Sequence, residues 1–325
     1  MKRYRDYNSY LRDLFGERVQ KIPLDAGFSC PNRDGTLSKR GCIYCDSRGS
    51  GTGAQTDQAV SIGEQIRQGR RFLEKRYHAK KFIAYFQSFS NTYAPVSRLK
   101  VLYDEAVQQK GVVGLSVATR PDCISPEILD LLCEYRKDFL VWIEYGLQSA
   151  HDTTLSIINR GHDAVCFEEA LRRTRARQLN VCAHVILGLP GETREMMLQT
   201  ASFIAGLGVQ GVKIHQLYVV RGTPLESFYR RGEYRALKRE TYVNLVVDFL
   251  ERIPPDMVVQ RLTGDPVPSE LVAPDWSKEK TENLNLIRRC LKERETWQGK
   301  EYKEKGSPAQ TCGIYDKGSR GQGSE

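Results

Sequence analysis

Short apolar runs alternate along this chain with longer segments in which apolar residues recur every three or four positions. The short runs are apolar at nearly every residue, which is typical of strands that are covered on both faces. They predict strands at 19–24, 81–87, 111–118, 139–147, 180–187 and 211–220. The longer segments predict helices at 59–77, 126–136, 164–178 and 192–207. This alternation predicts a parallel sheet with right-handed crossovers, and its six units are enough for a barrel or three-quarter barrel.

The pattern changes after two consecutive prolines, Pro254 and Pro255. Residues 258–262 form one more apolar run, which predicts either a further strand or part of a cap, and 277–298 predict a charged helix. From residue 299 onward Gly, Lys, Ser and Glu dominate, a composition typical of disorder. We therefore divide the chain into a basic N-terminal extension (1–20), a barrel (21–255), a C-terminal cap (256–298) and a tail (299–325).

Length and charge limit the class of protein. At 325 residues and 37.0 kDa the chain can bury a large core. No apolar run approaches the length of a bilayer span, and the first residues lack the apolar segment of a signal peptide, so we expect a cytoplasmic protein with no membrane contact. The net charge of +9 permits contact with a polyanion such as RNA.

Three cysteines near the start, Cys30, Cys42 and Cys45, have the spacing C-x11-C-x2-C. Two cysteines separated by two residues can hold one metal centre, because a tight turn brings both sulfurs to the same side. An arm that begins with Cys-Pro and ends with Gly-Cys supplies the third. Three thiolates in one loop suit an iron–sulfur cluster with one open iron.

Zinc, a disulfide and chance burial stay open as alternatives for these three cysteines. Structural zinc usually takes four protein ligands, and the segment has no second C-x2-C pair and no His, although a distant residue could complete a site. A disulfide is disfavoured by the odd total of nine cysteines and by the expected reducing compartment. Chance burial of three thiols does not explain the glycine- and proline-containing arm between them.

Polar residues concentrate where the predicted strands end. A charged or amide group inside an apolar strand is costly unless it has a partner, so one such residue could be a satisfied core group. Five strands with polar ends instead predict a cavity, at the face where barrels of this class hold their active sites. The residues that we assign to a substrate cavity are Thr119, Arg120, Glu144, His184, His215 and Tyr218. For the two histidines, substrate binding or proton transfer and a structural hydrogen bond are alternatives.

With the cysteines, several of these motifs resemble the radical S-adenosylmethionine (SAM) superfamily. They are Tyr44 before the last cysteine, Thr-Arg-Pro-Asp at 119–122, Gly-Leu-Gln-Ser at 146–149 and Gly-Leu-Pro-Gly-Glu at 188–192. The chain is similar, over about 20–262, to the YhcC/YtqA-type subgroup, which is related to oxygen-independent coproporphyrinogen III oxidase and to the elongator catalytic subunit. The resemblance implies an α/β fold, a partial (β/α)6 TIM-type barrel with an N-terminal extension and a C-terminal helical cap.

The resemblance also implies the cofactors and their ligands. A 4Fe–4S cluster on the catalytic residues Cys30, Cys42 and Cys45 would bind SAM at its open iron. One electron, from a reductant such as flavodoxin or ferredoxin, would cleave SAM to methionine and a 5′-deoxyadenosyl radical that abstracts hydrogen from the substrate. For SAM, the resemblance implies that Tyr44 and the backbone at Leu187 and Gly188 bind the adenine. Gln148 would bind the ribose, and Arg160 the carboxylate. Gln87 or Ser88 would bind the amino group, in place of the Gly-Gly-Glu that the family usually has on the second strand. Three departures from the porphyrinogen oxidase pattern argue against porphyrinogen decarboxylation as the activity. They are the replaced Gly-Gly-Glu, the long gap between the first two cysteines, and His184 at a position where that oxidase has Asp.

Three functions are hypotheses that the sequence supports. Kinship with the elongator subunit and the positive charge favour a radical SAM enzyme that modifies tRNA, at a wobble-uridine side chain. A radical SAM enzyme that acts on a small metabolite is the alternative within the same chemistry. A zinc-stabilised binding protein without catalysis is the alternative of another class.

Overall fold

A computed structural model of the protein describes residues 2–46, 49 and 60–303. Its centre is a parallel seven-stranded sheet, in the order β1-β2-β3-β4-β5-β6-β8, which curls into a partial barrel. These strands are β1 Val19–Leu24, β2 Lys81–Phe86, β3 Val112–Thr119, β4 Leu140–Gln148, β5 Asn180–Leu187, β6 Gly211–Gln216 and β8 Val258–Arg261. A small antiparallel pair, β7 Val219–Val220 and β9 Leu271–Ala273, lies beside it. The predicted fold class is confirmed, with a seventh strand added.

Helices cover the outer face of this sheet and its ends. They are α1 Tyr7–Phe15, α2 Ile62–Tyr77, α3 Val96–Val107, α4 Pro126–Arg136, α5 Asp152–Ile157, α6 Ala164–Ala176, α7 Arg194–Gly206, α8 Pro224–Arg230, α9 Arg239–Arg252 and α10 Lys280–Glu293. Several begin at a side chain that accepts a hydrogen bond from the first turn, as Ser125 does for α4 and Thr193 for α7. Among the described residues, no helix combines the length and the apolar character that a membrane crossing requires.

The N-terminal extension closes the amino-terminal end of the barrel. Helix α1 places Tyr7 and Tyr10 edge-on against Trp142 of β4, with ring centroids 6.2 and 5.9 Å away. Leu11 of the same helix is buried against Val19 and Ile83. With its lower end closed in this way, the barrel offers a cavity at the carboxyl ends of its strands.

Two predicted boundaries need correction. The run at 211–220 is not one strand: β6 ends at Gln216, and Val219–Val220 form β7, which pairs with β9 in the small sheet. The run that begins at Val258, placed by the sequence division in the cap, pairs in parallel with β6 as the last strand of the main sheet.

The C-terminal segment packs against the helices of the barrel. Helix α10 lies against α9. The first residues of the predicted tail are also held there, since Gly299 N donates to Leu250 O and Glu301 N to Glu251 O. The rest of that tail, 304–325, lies outside the described residues.

Candidate active site

The cavity at the carboxyl ends of the strands brings most of the predicted site residues together. All three cysteines line it, and so do all six residues predicted for the substrate cavity. The predicted residues on its wall are Cys30, Cys42, Tyr44, Cys45, Gln87, Thr119, Arg120, Glu144, Gln148, Arg160, His184, His215 and Tyr218.

The cysteine loop follows β1 and is shaped by its own backbone hydrogen bonds. The carbonyl of Cys30 accepts from the amides of Arg33 and Asp34, at 2.8 and 3.1 Å. Cys45 N donates to Cys42 O at 3.0 Å, which is the tight turn that the C-x2-C spacing predicts. The loop presents the three sulfurs to one cavity, and Leu225 N at the start of α8 supports it by donating to Ile43 O at 2.9 Å.

Two asparagines fasten this loop to the turn after α5. Asn32 Nδ2 donates to Asn159 O, and Asn159 Nδ2 donates to Gly41 O, both at 2.6 Å. Asn159 has a left-handed backbone, with φ of 52°, a conformation that asparagine tolerates better than most residues. The sequence predicted no role for either side chain, because a contact between residues 127 positions apart leaves no local signal.

The donor set suits a cluster better than a single ion. Over the ranges 2–46, 49 and 60–303, no three His, Cys, Asp or Glu side chains are placed to hold one metal ion. A four-iron cluster bonds each thiolate to a different iron, so its cysteines stand further apart than the ligands of one zinc ion. The three cysteines on one cavity wall thus fit the cluster.

Two predicted SAM contacts leave buried polar atoms without a partner. Arg160, 7% exposed, donates from Nη2 to Gly146 O at 2.6 Å and from Nη1 towards Cys42 Sγ at 3.6 Å, while its Nε makes no hydrogen bond. Gln148 has φ of 76°, and its Oε1 is also unpaired. Buried polar atoms are nearly always paired in native proteins, so these two indicate the place of a polar ligand beside Cys42.

Gly146 leaves the space that these two side chains occupy. A Cβ at this position would lie 2.5 Å from Arg160 Nη2 and 2.7 Å from Gln148 Nε2. Any larger residue would therefore displace both groups. This explains the glycine that opens the Gly-Leu-Gln-Ser motif.

Arg120 supports Arg160 from behind. Its Nη1 donates to the Arg160 carbonyl at 2.7 Å, and Nε and Nη2 form a bidentate pair with Asp122, at 2.9 and 2.8 Å. The guanidinium of Arg120 is therefore fully engaged within the protein. This assigns the Thr-Arg-Pro-Asp motif a positioning role.

A carboxylate at the base of the cavity collects four donors from four other strands. Glu144 is fully buried and accepts from Lys21 at 2.5 Å, from His184 Nε2 at 2.8 Å, and from Ser116 and Lys213. Burial opposes ionisation, but the ammonium groups of Lys21 and Lys213 outweigh it and hold the pKa of this carboxyl well below its usual range. Glu144 is thus the ionised centre of a buried network.

The two histidines are neutral at physiological pH. Burial and the Lys213 ammonium lower the pKa of His184 to about 4, and burial and Arg261 lower the pKa of His215 to about 3. Because an ionised carboxylate can only accept, His184 Nε2 carries the hydrogen that bonds Glu144. This geometry supports the structural alternative for His184.

The site also contains inward-facing residues that the sequence analysis did not assign. Burial lowers the pKa of Lys213 to about 7 against the attraction of Glu144, and Lys213 Nζ donates to Tyr85 Oη at 2.9 Å. Tyr85, Lys213 and Arg261 all line the cavity. For Lys213 and Arg261, a charged residue inside an apolar strand was the sequence feature that could have identified them as cavity residues.

Three predicted SAM residues do not lie on the cavity wall. In β5 the side chain of Ile186 points into the cavity, so that of Leu187 points the other way and packs in the main core. The backbone of Gly188 is engaged elsewhere, since Tyr234 Oη donates to its carbonyl at 3.0 Å. Ser88 is buried, 2% exposed, behind the wall. The backbone assignment of Leu187 and Gly188 to adenine stays a prediction, and Gln87 is the one of the second-strand pair that faces the cavity.

Comparison with known families finds two matches. Residues 36–204 match the radical SAM superfamily, and 209–293 match the radical SAM C-terminal domain. The chain is 42% identical over 301 residues to the uncharacterized protein YtqA of Bacillus subtilis, with 92% of each chain covered. It is 39% identical over 280 residues to protein YhcC of Escherichia coli, covering 86% of this chain and 89% of that one.

Two more distant similarities are to a tRNA uridine(34) acetyltransferase and to archaeal Elp3. A tRNA uridine(34) acetyltransferase of Dehalococcoides mccartyi is 28% identical over 199 residues, which are 58% of this chain and 42% of that protein. The solved structure of archaeal Elp3 from Methanocaldococcus infernus has a TM-score of 0.64 at 17% identity, covering 86% of this chain and 64% of that one. This second likeness establishes the shared fold.

Proposed function

Since this chain belongs to the radical SAM superfamily, in the YhcC/YtqA-type subgroup, we propose that it modifies a wobble uridine of tRNA. Members of the superfamily are enzymes that use a 4Fe–4S cluster and SAM. When bound, the reduced cluster supplies the electron that splits SAM and starts radical chemistry on the substrate. The side chains of the cavity bind and orient the reactants and exclude water from them.

One observation carries the catalytic part of the proposal. Cys30, Cys42 and Cys45 share a cavity with Gln148 and Arg160, each of which has one buried polar atom without a partner, Oε1 and Nε respectively. We assign the thiolates to the cluster. The amide and the guanidinium bind SAM, the guanidinium through its carboxylate, since a planar fork suits that group. Tyr44 and Ile186 contribute the apolar wall that adenine needs.

The tRNA part of the proposal is supported by relatives and by charge. The tRNA uridine(34) acetyltransferase and an Elongator complex protein 3 each align with 58% of this chain, and the net charge of +9 favours a polyanion. The alignment covers 42% of the acetyltransferase, so acetyl transfer is no part of the proposal. The network around Glu144 holds the base of the cavity rigid while a nucleoside enters from the open end.

Anaerobic reconstitution tests the cofactor assignment. We expect a brown protein that forms 5′-deoxyadenosine from SAM when reduced with dithionite. Cys45→Ala should lose both the colour and the product. Cys133→Ala, on helix α4 outside the cavity wall, is the matched control and should keep both. A colourless wild-type protein that contains one zinc ion would contradict the assignment.

Mass spectrometry of tRNA nucleosides tests the substrate. We expect a deletion strain to lose or accumulate a modified wobble uridine, wild-type protein to restore the profile, and Cys45→Ala to leave it unrestored. Binding of tRNA should weaken as salt rises, with a slope set by the number of phosphates contacted. An unchanged nucleoside profile would refute the proposal, and a changed small metabolite in the same strain would favour the metabolite alternative.

A further inference from the structure

A β-bulge in the last strand of the main sheet turns an arginine towards the cavity. Val212 pairs with Val259, but the next residue of β6, Lys213, pairs with Arg261, so Gln260 is the extra residue. Bulges occur next to active sites, where they re-aim a side chain. Here Gln260 Oε1 accepts from Lys21 Nζ at 2.7 Å, and Arg261 lines the cavity.

The guanidinium of Arg261 differs from those of the other arginines on the cavity wall. Arg33 donates to Asp46 O at 2.5 Å, Arg120 is paired with Asp122, and Arg160 donates to Gly146 O. No ion pair or hydrogen bond from the Arg261 guanidinium is found within the described ranges of the chain. The guanidinium of Arg261 has five N–H donors, and no protein acceptor is found for them in the described residues. An arginine in this state on a cavity wall indicates a site for a ligand that can accept these hydrogen bonds.

The carboxylates of Asp46, Glu144 and Glu270 line the same cavity, but none of them forms an ion pair with Arg261 in the described part of the chain. Lys213 is its direct neighbour in the ladder, and like charges in that position repel. Glu144 already accepts from four donors, two of which are lysines. His215 is neutral, because burial and the Arg261 charge disfavour its protonation. Among the described residues, Arg261 is therefore a cation on the cavity wall that no carboxylate is paired with.

We propose that Arg261 binds an oxyanion of the substrate, a carboxylate or a phosphate group. A guanidinium binds either anion through two parallel hydrogen bonds, which gives orientation as well as attraction. The inference rests on the proposed function, because it requires that the cavity binds a substrate in addition to SAM. Arg261 is thus a residue that sets substrate specificity.

Protection from an arginine reagent tests the site directly. Reconstituted enzyme saturated with SAM is treated with phenylglyoxal, with acetate or inorganic phosphate as the probe, and labelling is followed peptide by peptide. We expect one of the two anions to slow labelling of Arg261 severalfold, and the effective anion identifies the group. Arg235, exposed and away from the cavity wall, is the internal control and should label at an unchanged rate. Equal labelling of Arg261 with and without both anions would overturn the proposal.

Variants separate this role from SAM binding and from the tRNA assignment. Arg261→Gln should lower the restored level of the modified nucleoside by roughly tenfold or more, and Arg261→Lys, which keeps the charge but not the fork, by less. A matching loss of SAM affinity in Arg261→Gln would overturn the proposal, because the guanidinium would then serve SAM. The labelling experiment contains no tRNA, so its outcome does not depend on the tRNA assignment. An unchanged nucleoside profile in the deletion strain would refute the proposed function, while protection of Arg261 by an anion could still be observed.

Discussion

Glu144 and Arg160 lie in the same cavity but use their polar atoms differently. The carboxylate of Glu144 has a donor at every position, whereas the guanidinium of Arg160 keeps its Nε unpaired. A buried group that is fully satisfied contributes rigidity, and a buried group that is partly satisfied gains when a ligand arrives. The two residues should therefore respond to substitution in different measurements.

Arg160→Lys should weaken SAM binding by roughly 10- to 100-fold, because it removes charge-assisted hydrogen bonds that the lysine cannot reproduce. Equilibrium dialysis with reconstituted enzyme measures the dissociation constant. Arg172→Lys, an exposed position on α6, is the matched control and should bind SAM like the wild type. Unaltered affinity in Arg160→Lys would remove this residue from the SAM site.

Glu144→Gln should lower the free energy of unfolding by roughly 3–5 kcal/mol, because two buried lysines lose their counter-charge. The melting temperature of the reconstituted protein, followed by circular dichroism, measures the loss. Glu195→Gln, an exposed position on α7, should leave it unchanged. Glu144→Gln/Lys213→Met should recover part of the loss. A double variant less stable than Glu144→Gln would show that charge imbalance is not the cause.

Gly69 of α2 and Gly206 of α7 are both helical glycines, but only Gly69 lies against the sheet. A Cβ at Gly69 of α2 would lie 2.6 Å from Ile22 Cγ2 of β1, whereas a Cβ at Gly206 of α7 would meet no atom within 4 Å. The first glycine lets its helix approach the strand closely, and the second has no such role.

Gly69→Ala should therefore destabilise the protein by roughly 1–2 kcal/mol, since the clash outweighs the gain in helix propensity. Gly206→Ala should stabilise it by up to about 1 kcal/mol, because the unfolded chain loses freedom and nothing is displaced. Melting temperatures of the two variants test the contrast. A stabilised Gly69→Ala protein would show that α2 can move away from β1 at little cost.

The sequence allowed the central strands and the position of the three cysteines at one cavity to be predicted, because both have local signals. The run at 180–187 is apolar on both faces, and the structure forms β5 over the same residues. Helix α1 escaped prediction because its charged and aromatic residues gain a partner only when Trp142 is placed beside them. The cation pair of Lys213 and Arg261 escaped for a related reason, since it depends on a bulge that sets the register between two strands.

The two ends of the described chain meet below the barrel. The amide side chain of Gln298 accepts from Arg5 N at 2.9 Å and donates to Pro254 O and Met257 O at 2.5 and 2.8 Å. Gln298 N in turn donates to Arg3 O at 2.9 Å. One buried side chain thus joins the N-terminal extension to the segment that comes after α10.

Gln298→Ala should lower the free energy of unfolding by roughly 1–3 kcal/mol, because three buried backbone groups lose their partner. The substitution should also speed amide hydrogen exchange in α1 more than in α4, since the Gln298 side chain holds the N-terminal extension, which contains α1, through Arg5 N. Gln108→Ala, exposed at the end of α3, is the control for both measurements. Equal exchange in the two helices would mean that α1 is held by its aromatic contacts alone.

The bridge between Asp6 and Val259, with Val259 N donating to Arg5 O at 2.9 Å, has a consequence for the timing of folding on the ribosome. Helix α1 leaves the ribosome before β8, which is made about 250 residues later, and this takes roughly 10–50 s at ordinary rates of synthesis. During that interval the bridge at Asp6 is missing, and the main sheet lacks its last strand. Arg261 belongs to the same strand, β8. The nascent chain therefore adds the last strand of the sheet and the Arg261 side chain of the cavity in the same late step.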